Sequence, residues 1–243
     1  MNTSVKIAIV GYGKMGREIE RICRETRVEI TAVIDNQQDW KEKEQDLRKA
    51  DVAIEFTSPA VVKNNIRKLL DMGIPVVTGT TGWYDAMEEI RNYCETCNGS
   101  LFYASNFSIG VNLFFALNRH LAKIMADYPE YQLHMEETHH TQKLDAPSGT
   151  AITLAEGIMQ ENTRYTGWKP DSDDVQKEDI PVTAHRIEGV TGTHVVNYQS
   201  PVDTISIQHI AHKREGFARG ALMAAKWLNG RKGIFSMNDM LNL

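Results

Sequence analysis

Short apolar runs alternate with amphipathic stretches through the early part of the chain. Residues 5–10 are nearly continuous in apolar character, the pattern of a parallel strand buried on both faces. Residues 29–34, 52–56, 75–78 and 101–104 repeat it. Between these runs, Met15, Ile19, Ile22 and Cys23 share one side of a helix over 17–24, and Val61, Ile66, Leu69 and Leu70 share one side of a helix over 59–72. A further helix is expected over 85–93. Such alternation predicts an open parallel sheet, complete after the strand at 101–104.

A strongly apolar helix over 111–125 follows, and then the pattern changes. Residues 131–138, 182–188, 194–199 and 204–210 read as strands with mixed alternation, and one helix intervenes over 150–160. Residues 164–179 are polar and contain Gly167 and Pro170, which predicts a long exposed loop. Over 217–228, Phe217, Ala221, Leu222, Ala225, Trp227 and Leu228 restore helical spacing, and this helix is expected to return to the first domain. The expected fold is α/β: an N-terminal parallel sheet completed by a C-terminal helix (1–107 and 214–243), plus a central α+β domain (108–213).

Composition narrows the classes. The chain has 243 residues, 42% hydrophobic and 24% charged, enough for one large or two small globular domains. A net charge of -5 without a basic run argues against nucleic-acid binding. No apolar stretch approaches the roughly 20 residues of a membrane helix. The N-terminus runs straight into a strand without a signal segment, so a cytoplasmic protein is expected. Cys94-Glu95-Thr96-Cys97 has redox or zinc spacing but lacks a second pair, and no role is expected of it.

Gly11-Tyr12-Gly13-Lys14-Met15-Gly16 joins the first strand to the first helix, and Asp35 closes the second strand. Gly11 permits the tight turn, Gly13 lets a pyrophosphate approach the backbone, and Gly16 lets helix and strand pack closely. The acid can accept hydrogen bonds from the adenosine ribose. Strand, glycine turn, helix, strand and acid together predict a Rossmann-type dinucleotide site, with Lys14 and Met15 in its loop. Asp35 would repel a 2′-phosphate, and Asn36, Gln37 and Gln38 supply no arginine to grip one, although Lys41 or Lys43 could reach it. NADH is the expected cofactor, with NADPH tolerated. Gly79-Thr80-Thr81-Gly82 and Ala104-Ser105-Asn106-Phe107 follow the fourth and fifth strands, where an open α/β sheet places its ligand.

The densest chemistry lies in Glu137-Thr138-His139-His140-Thr141-Gln142-Lys143-Leu144-Asp145-Ala146-Pro147-Ser148-Gly149-Thr150-Ala151. Ser148 reads as the N-cap of the helix that follows, and a helix start offers unpaired N–H groups to an anion. Lys143 adds a mobile charge, and the histidine pair can move protons. Spacing alone leaves open whether His139 or Lys143 delivers the proton. A metal held by His134, His139 and His140 is disfavoured, because neighbouring residues seldom aim at one ion, so no metal is expected. His120, His134, His185 and His212 read as surface or packed residues, and His194 and His209 as supporting ones at most.

This stretch resembles the signature of the dihydrodipicolinate reductase family, enzymes of diaminopimelate and lysine synthesis. The similarity extends to Gly79–Gly82, to residues 105–112, to Gly192-Thr193-His194 and to Arg214-x-x-Phe217-Ala218-x-Gly220-Ala221. It implies a Rossmann domain completed by the C-terminal helices and a central domain that binds substrate and assembles a homotetramer. The implied reaction is hydride transfer from a nicotinamide to the cyclic dicarboxylate 4-hydroxy-tetrahydrodipicolinate, with loss of water. By resemblance, Gly79, Thr80, Thr81 and the loop of Ala104, Ser105, Asn106 and Phe107 hold the nicotinamide half. His139 stands at the proton donor/acceptor position, Lys143 is the proton donor, and His140, Gly149 and Thr150, with Ser148 at the helix start, bind carboxylates. The glycine loop is one residue shorter than the common family form, Lys14 replaces its usual arginine, and the stretch from Asp35 to Asp51 is short. Two other readings share the dinucleotide half: a dehydrogenase of other small carboxylates, aspartate- or homoserine-type, and a non-catalytic NADH-binding redox sensor.

Overall fold

The computed structural model describes residues 5–172, 174–213 and 215–243. The expectations attached to residues 1–4 and to Arg214 lie outside them. In chain order the elements are β1 (Ile7–Val10), α1 (Lys14–Glu25), β2 (Ile30–Ile34), α2 (Gln37–Glu42), α3 (Glu44–Leu47), β3 (Val52–Glu55), α4 (Val62–Asp71), β4 (Val76–Thr78), α5 (Met87–Thr96) and β5 (Ser100–Tyr103). There follow α6 (Ile109–Met125), β6 (Gln132–His139), α7 (Gly149–Glu161), β7 (Gly167–Pro170), β8 (Asp179–Arg186), β9 (Gly192–Gln199) and β10 (Thr204–Ala211). The chain closes with α8 (Glu215–Leu228), β11 (Gly233–Phe235) and α9 (Met237–Leu241). It divides into two compact units, Met1–Ile109 with Glu215–Leu243, and Gly110–Arg214.

The first unit is a parallel six-stranded sheet in the order β11-β5-β4-β3-β1-β2. All four residues of β1 are buried, as a central strand covered on both faces requires. Side chains alternate between faces. Ile7 and Ile9 join Ile19, Ile54, Val77, Phe102, Ala221 and Leu228 in one core. Ala8 and Val10 join Ala53, Ile66, Leu69, Val76, Ile90 and Leu101 in the other. The fingerprint helix α1 and the returning α8 cover the first face. Alanines at 218, 221, 224 and 225 let α8 lie close, and Gly220 takes this furthest, since a Cβ there would sit 1.8 Å from the Phe107 carbonyl oxygen.

Two expectations change. The sheet is not complete at β5: β11 adds a sixth parallel strand, pairing Gly233, Ile234 and Phe235 with Ser100, Leu101 and Phe102. Three residues are too few to show a period. Residues 164–179 are not one loop, because β7 pairs with β8 in parallel and Trp168 packs against the core of the second unit. Pro170 is tolerated there because β7 is an edge strand. The stretch after Asp35 holds α2 and α3; Asn36 caps α2 by accepting from the Gln38 and Asp39 amides, and Asp39 caps in return.

The second unit is a mixed sheet in the order β10-β9-β6-β8-β7. β6 runs antiparallel to β9 and parallel to β8. Helices α6 and α7 supply Phe114, Ala122, Met125, Leu154, Ala155 and Ile158 to its core. Cys94 lies buried in the first unit, its thiol pushed up to about 11 by burial, which makes it a poor thiolate. Among the described residues no helix is long and apolar enough to cross a membrane. Gly220→Ala is expected to lower stability by about 3 kcal/mol through overpacking, read as a lower urea midpoint with an unchanged slope.

Candidate active site

The period of β6 builds the centre of the second unit. Leu133, Met135, Glu137 and His139 all fall on its buried face. The first two pack in the core, opposite Tyr198 and Val196 of β9. At Glu137 the same stripe turns polar, and its antiparallel partner is His194. On the other side His139 is in register with Arg186 of β8. Four chemical side chains thus converge at the end of one strand because apolar packing fixes the register below them.

Glu137 is 1% exposed. Its two oxygens accept from the Ser148 amide at 3.1 and 3.0 Å, and Oε1 accepts from Arg186 Nη2 at 3.1 Å. Oε2 lies 3.5 Å from His139 Nδ1 and 3.7 Å from His194 Nε2. The two imidazoles meet edge to face with centroids 5.1 Å apart. Burial pushes the His194 imidazole down to about 3, and neighbouring His139, His209 and Lys143 add to this. Burial also lowers His139, against the pull of Glu137. Both rings are neutral near pH 7.

Ser148 caps α7 as expected, accepting from the Ala151 amide at 3.2 Å. Its hydroxyl also meets His194 Nε2 at 3.1 Å, and its own amide is bound to Glu137, so both groups are engaged inside the protein. The amides of Gly149 and Thr150 precede the first intrahelical bond, from Ile152 to the Ser148 carbonyl. Lys143 stands on the irregular segment between β6 and α7, its Nζ held by Asp145 at 2.6 and 2.7 Å. That hydrogen bond holds the Asp145 carboxyl below the usual carboxylate range. His140 directly follows the end of β6, and its carbonyl accepts from the Lys143 amide.

His134 does not join this centre. It lies on the other face of β6, where its Nε2 meets Thr183 Oγ1 at 2.9 Å. The ligand atoms of Glu137, His139 and His194 lie within 4.8 Å of one another, close enough to hold a metal ion, but the Arg186 guanidinium on the carboxylate opposes a dication. Sequence reasoning gave Glu137 and Arg186 no role and left His194 at the margin. Spacing two apart on a strand was a readable sign for Glu137; the neighbours from β8 and β9 carry no local signal.

In the first unit the expected cofactor residues gather at the carboxyl ends of β1, β2, β4 and β5. Gly11, Tyr12, Gly13, Asp35, Phe56 and Thr57 line a cleft of about 500 Å³. Gly11 has φ +93° and backs onto the Phe56 carbonyl, where a Cβ would fall at 2.0 Å. Gly13 faces open space, Lys14 is exposed and Met15 packs on the core. Gly16 lies against the Gly11 carbonyl. Asp35 is exposed and accepts from the Tyr12 amide at 3.2 Å. Gly79 meets the Phe56 ring, and Thr81 and Ser105 are exposed. Ala104 and Phe107 are buried, and Asn106 accepts from the Ser108 amide. Thr80 is buried and commits its hydroxyl to Glu55 at 2.8 Å and to the Thr57 amide at 2.8 Å.

A Rossmann sheet whose strand ends are shaped for a dinucleotide, carried with a buried acid–base centre on a second sheet, places the chain among the nicotinamide-dependent oxidoreductases. The family models described as "Dihydrodipicolinate reductase, N-terminus" and "Dihydrodipicolinate reductase, C-terminus" match residues 5–107 and 110–241. A 4-hydroxy-tetrahydrodipicolinate reductase of Christiangramia forsetii is 44% identical over 98% of this chain and 98% of its own. Another, of Methanoculleus marisnigri, is 33% identical over 98% of this chain and 100% of its own. The dipicolinate-bound dihydrodipicolinate reductase from Paenisporosarcina sp. TG-14 shares the fold at a TM-score of 0.74 and 22% identity, covering 98% of this chain and 100% of that one. The chain belongs to the dihydrodipicolinate reductase family.

The neutral histidines set a pH dependence. Their folded pKa values lie below the unfolded value of about 6.5, so the unfolded chain binds more protons as pH falls. Stability is expected to drop from pH 6.5 towards pH 3. His194→Gln should flatten that slope by at most about 1.4 kcal/mol per pH unit, as read from urea midpoints between pH 7.5 and 5.

Proposed function

We propose that the chain is an NAD(P)H-dependent 4-hydroxy-tetrahydrodipicolinate reductase of lysine and diaminopimelate synthesis, giving tetrahydrodipicolinate, NAD(P)+ and water. The observation that carries this reading is the fold of the 137–151 stretch. It sets a neutral buried histidine, a lysine paired with Asp145 and the start of a helix within one short segment. Neither a dehydrogenase of other carboxylates nor a redox sensor calls for that array.

Reduction builds negative charge on the substrate that a proton must quench. His139 or Lys143 supplies that proton, and Lys143 is drawn from Asp145 by the dianionic substrate. Gly149 and Thr150 amides bind one carboxylate, helped by the positive end of α7; His140 binds substrate, and Ser148 holds the helix start. The cofactor supplies the hydride. Gly11, Gly13, Lys14, Met15 and Gly16 take its pyrophosphate side and Asp35 its ribose. Gly79, Thr80, Thr81 and Ala104–Phe107 hold the nicotinamide half, with Thr80 acting through its backbone.

The preferred cofactor is NADH, with NADPH tolerated. Supporting this, Lys43 is tied to Asp39 at 2.6 Å and to the Val33 carbonyl at 2.8 Å, which leaves Lys41 to meet a 2′-phosphate. A cytoplasmic homotetramer is the proposed assembly, built by the second unit. Exposed Leu113, Leu117 and Ile124 on α6, and Ile205 and Ile210 on edge strand β10, support it. Sedimentation at a monomer's mass would count against it.

The direct test generates substrate from pyruvate and aspartate semialdehyde with a coupling synthase and follows loss of reduced-nicotinamide absorbance. Substrate-dependent oxidation, faster with NADH, is expected; none with either cofactor, from protein that binds NADH, refutes the activity. Lys143→Ala should cut kcat about 10²-fold or more while leaving NADH affinity within about twofold, measured by fluorescence titration.

A further inference from the structure

We infer that Arg186, the last residue of β8, is a positioning residue that holds the Lys143-bearing loop in register with His139 and the start of α7. The inference rests on the proposed reductase activity for its catalytic meaning. Its structural basis is one planar guanidinium with four partners. Nε donates to the Lys143 carbonyl at 3.2 Å, and Nη2 donates to the Asp145 carbonyl at 2.5 Å and to Glu137 Oε1 at 3.1 Å. Nη1 donates to the His185 carbonyl at 2.8 Å.

Three parts of the centre meet on this side chain. The β6 residue in register with it is His139. The loop is held by its backbone at both ends of Lys143–Asp145, while the Lys143 ammonium is paired with the Asp145 carboxylate. The helix start is reached through Glu137, whose oxygens accept from the Ser148 amide.

The loop has no regular structure, Leu144 is 97% exposed, and the Lys143 amide bonds locally to the His140 carbonyl. Arg186 by contrast is only one-fifth exposed and sits against the fully buried Glu137 carboxylate. Lysine in its place would keep the charge but, as a point donor, cannot span two carbonyls and a carboxylate in one plane. The charge also acts on His139, which is faced by Glu137 on β6, His194 on β9, Arg186 on β8, and Lys143 and Asp145 of the loop. Of these, Arg186 and Lys143 oppose its protonation.

The test compares Arg186→Lys and Arg186→Met with the wild type. In Arg186→Lys, kcat is expected to fall about 10²-fold, as for a reacting group displaced by about 1 Å, with the KM for NADH within about twofold. Its pH–rate profile should stay in place, whereas Arg186→Met should shift the acidic limb to higher pH. Hydrogen exchange, followed by mass spectrometry without substrate, should speed up at least about tenfold at residues 141–148 and remain unchanged in β1–β5. A kcat within threefold of wild type in both variants overturns the inference. So does faster exchange throughout the chain, or failure of both variants to fold, since either would make Arg186 a general stability residue. Should the wild type itself fail to oxidise NADH with substrate, the proposed activity falls, and the substrate-free exchange pattern still decides the positioning role.

Discussion

A carboxylate taken out of water loses a hydration shell that the protein must replace donor by donor. Glu55 and Glu137 are the two buried carboxylates among the described residues, one in each unit. Glu137 has its shell replaced by an amide and a guanidinium. Those donors come from the start of α7 and the end of β8, so satisfying one acid fixes both. Glu55 is matched differently, by the hydroxyls of Thr57, Thr78 and Thr80 and, at 3.4 Å, the amide of Asn65. These hydroxyls sit at the end of β4 and on the segments after β3 and β4, which the acid draws together. In both units a buried acid draws together segments that lie far apart in the chain.

The two acids are matched by different donors: neutral hydroxyls surround Glu55, whereas the Arg186 guanidinium balances the charge of Glu137 as an ion pair. The same burial that makes Glu137 demanding keeps His139 and His194 neutral. A neutral imidazole offers a lone pair or a proton without the cost of an unpaired buried charge.

Features that the chain encodes locally were legible in its residues. The glycine turn could be read because Gly11 and Gly16 answer steric needs within a few residues of themselves. Ser148 could be read because capping is a contact with the next turn of its own helix. The reciprocal cap of Asn36 and Asp39 was equally local, and it marked α2 for anyone weighing that pair. Arg186 was not legible, and His194 was legible only as a supporting residue. Their place beside Glu137 and His139 comes from strand pairing across long separations, and nothing near them in sequence announces which strand they will meet. β7 and β11 escaped for a related reason, since short edge strands take their identity from the partner and not from their own period.

The first unit is made from both ends of the chain, and this bears on its birth at the ribosome. When β5 has emerged, Ile7, Ile9, Ile54 and Phe102 already belong to one sheet face, but the α8 residues that cover it are still more than a hundred codons away. The second unit lies wholly within that interval and has all its strands before α8 is made. Synthesis therefore delivers a finished inner domain inside an unfinished outer one. During that time the part of the face that α1 leaves uncovered stays exposed, and α8 closes it only after the second unit has been made.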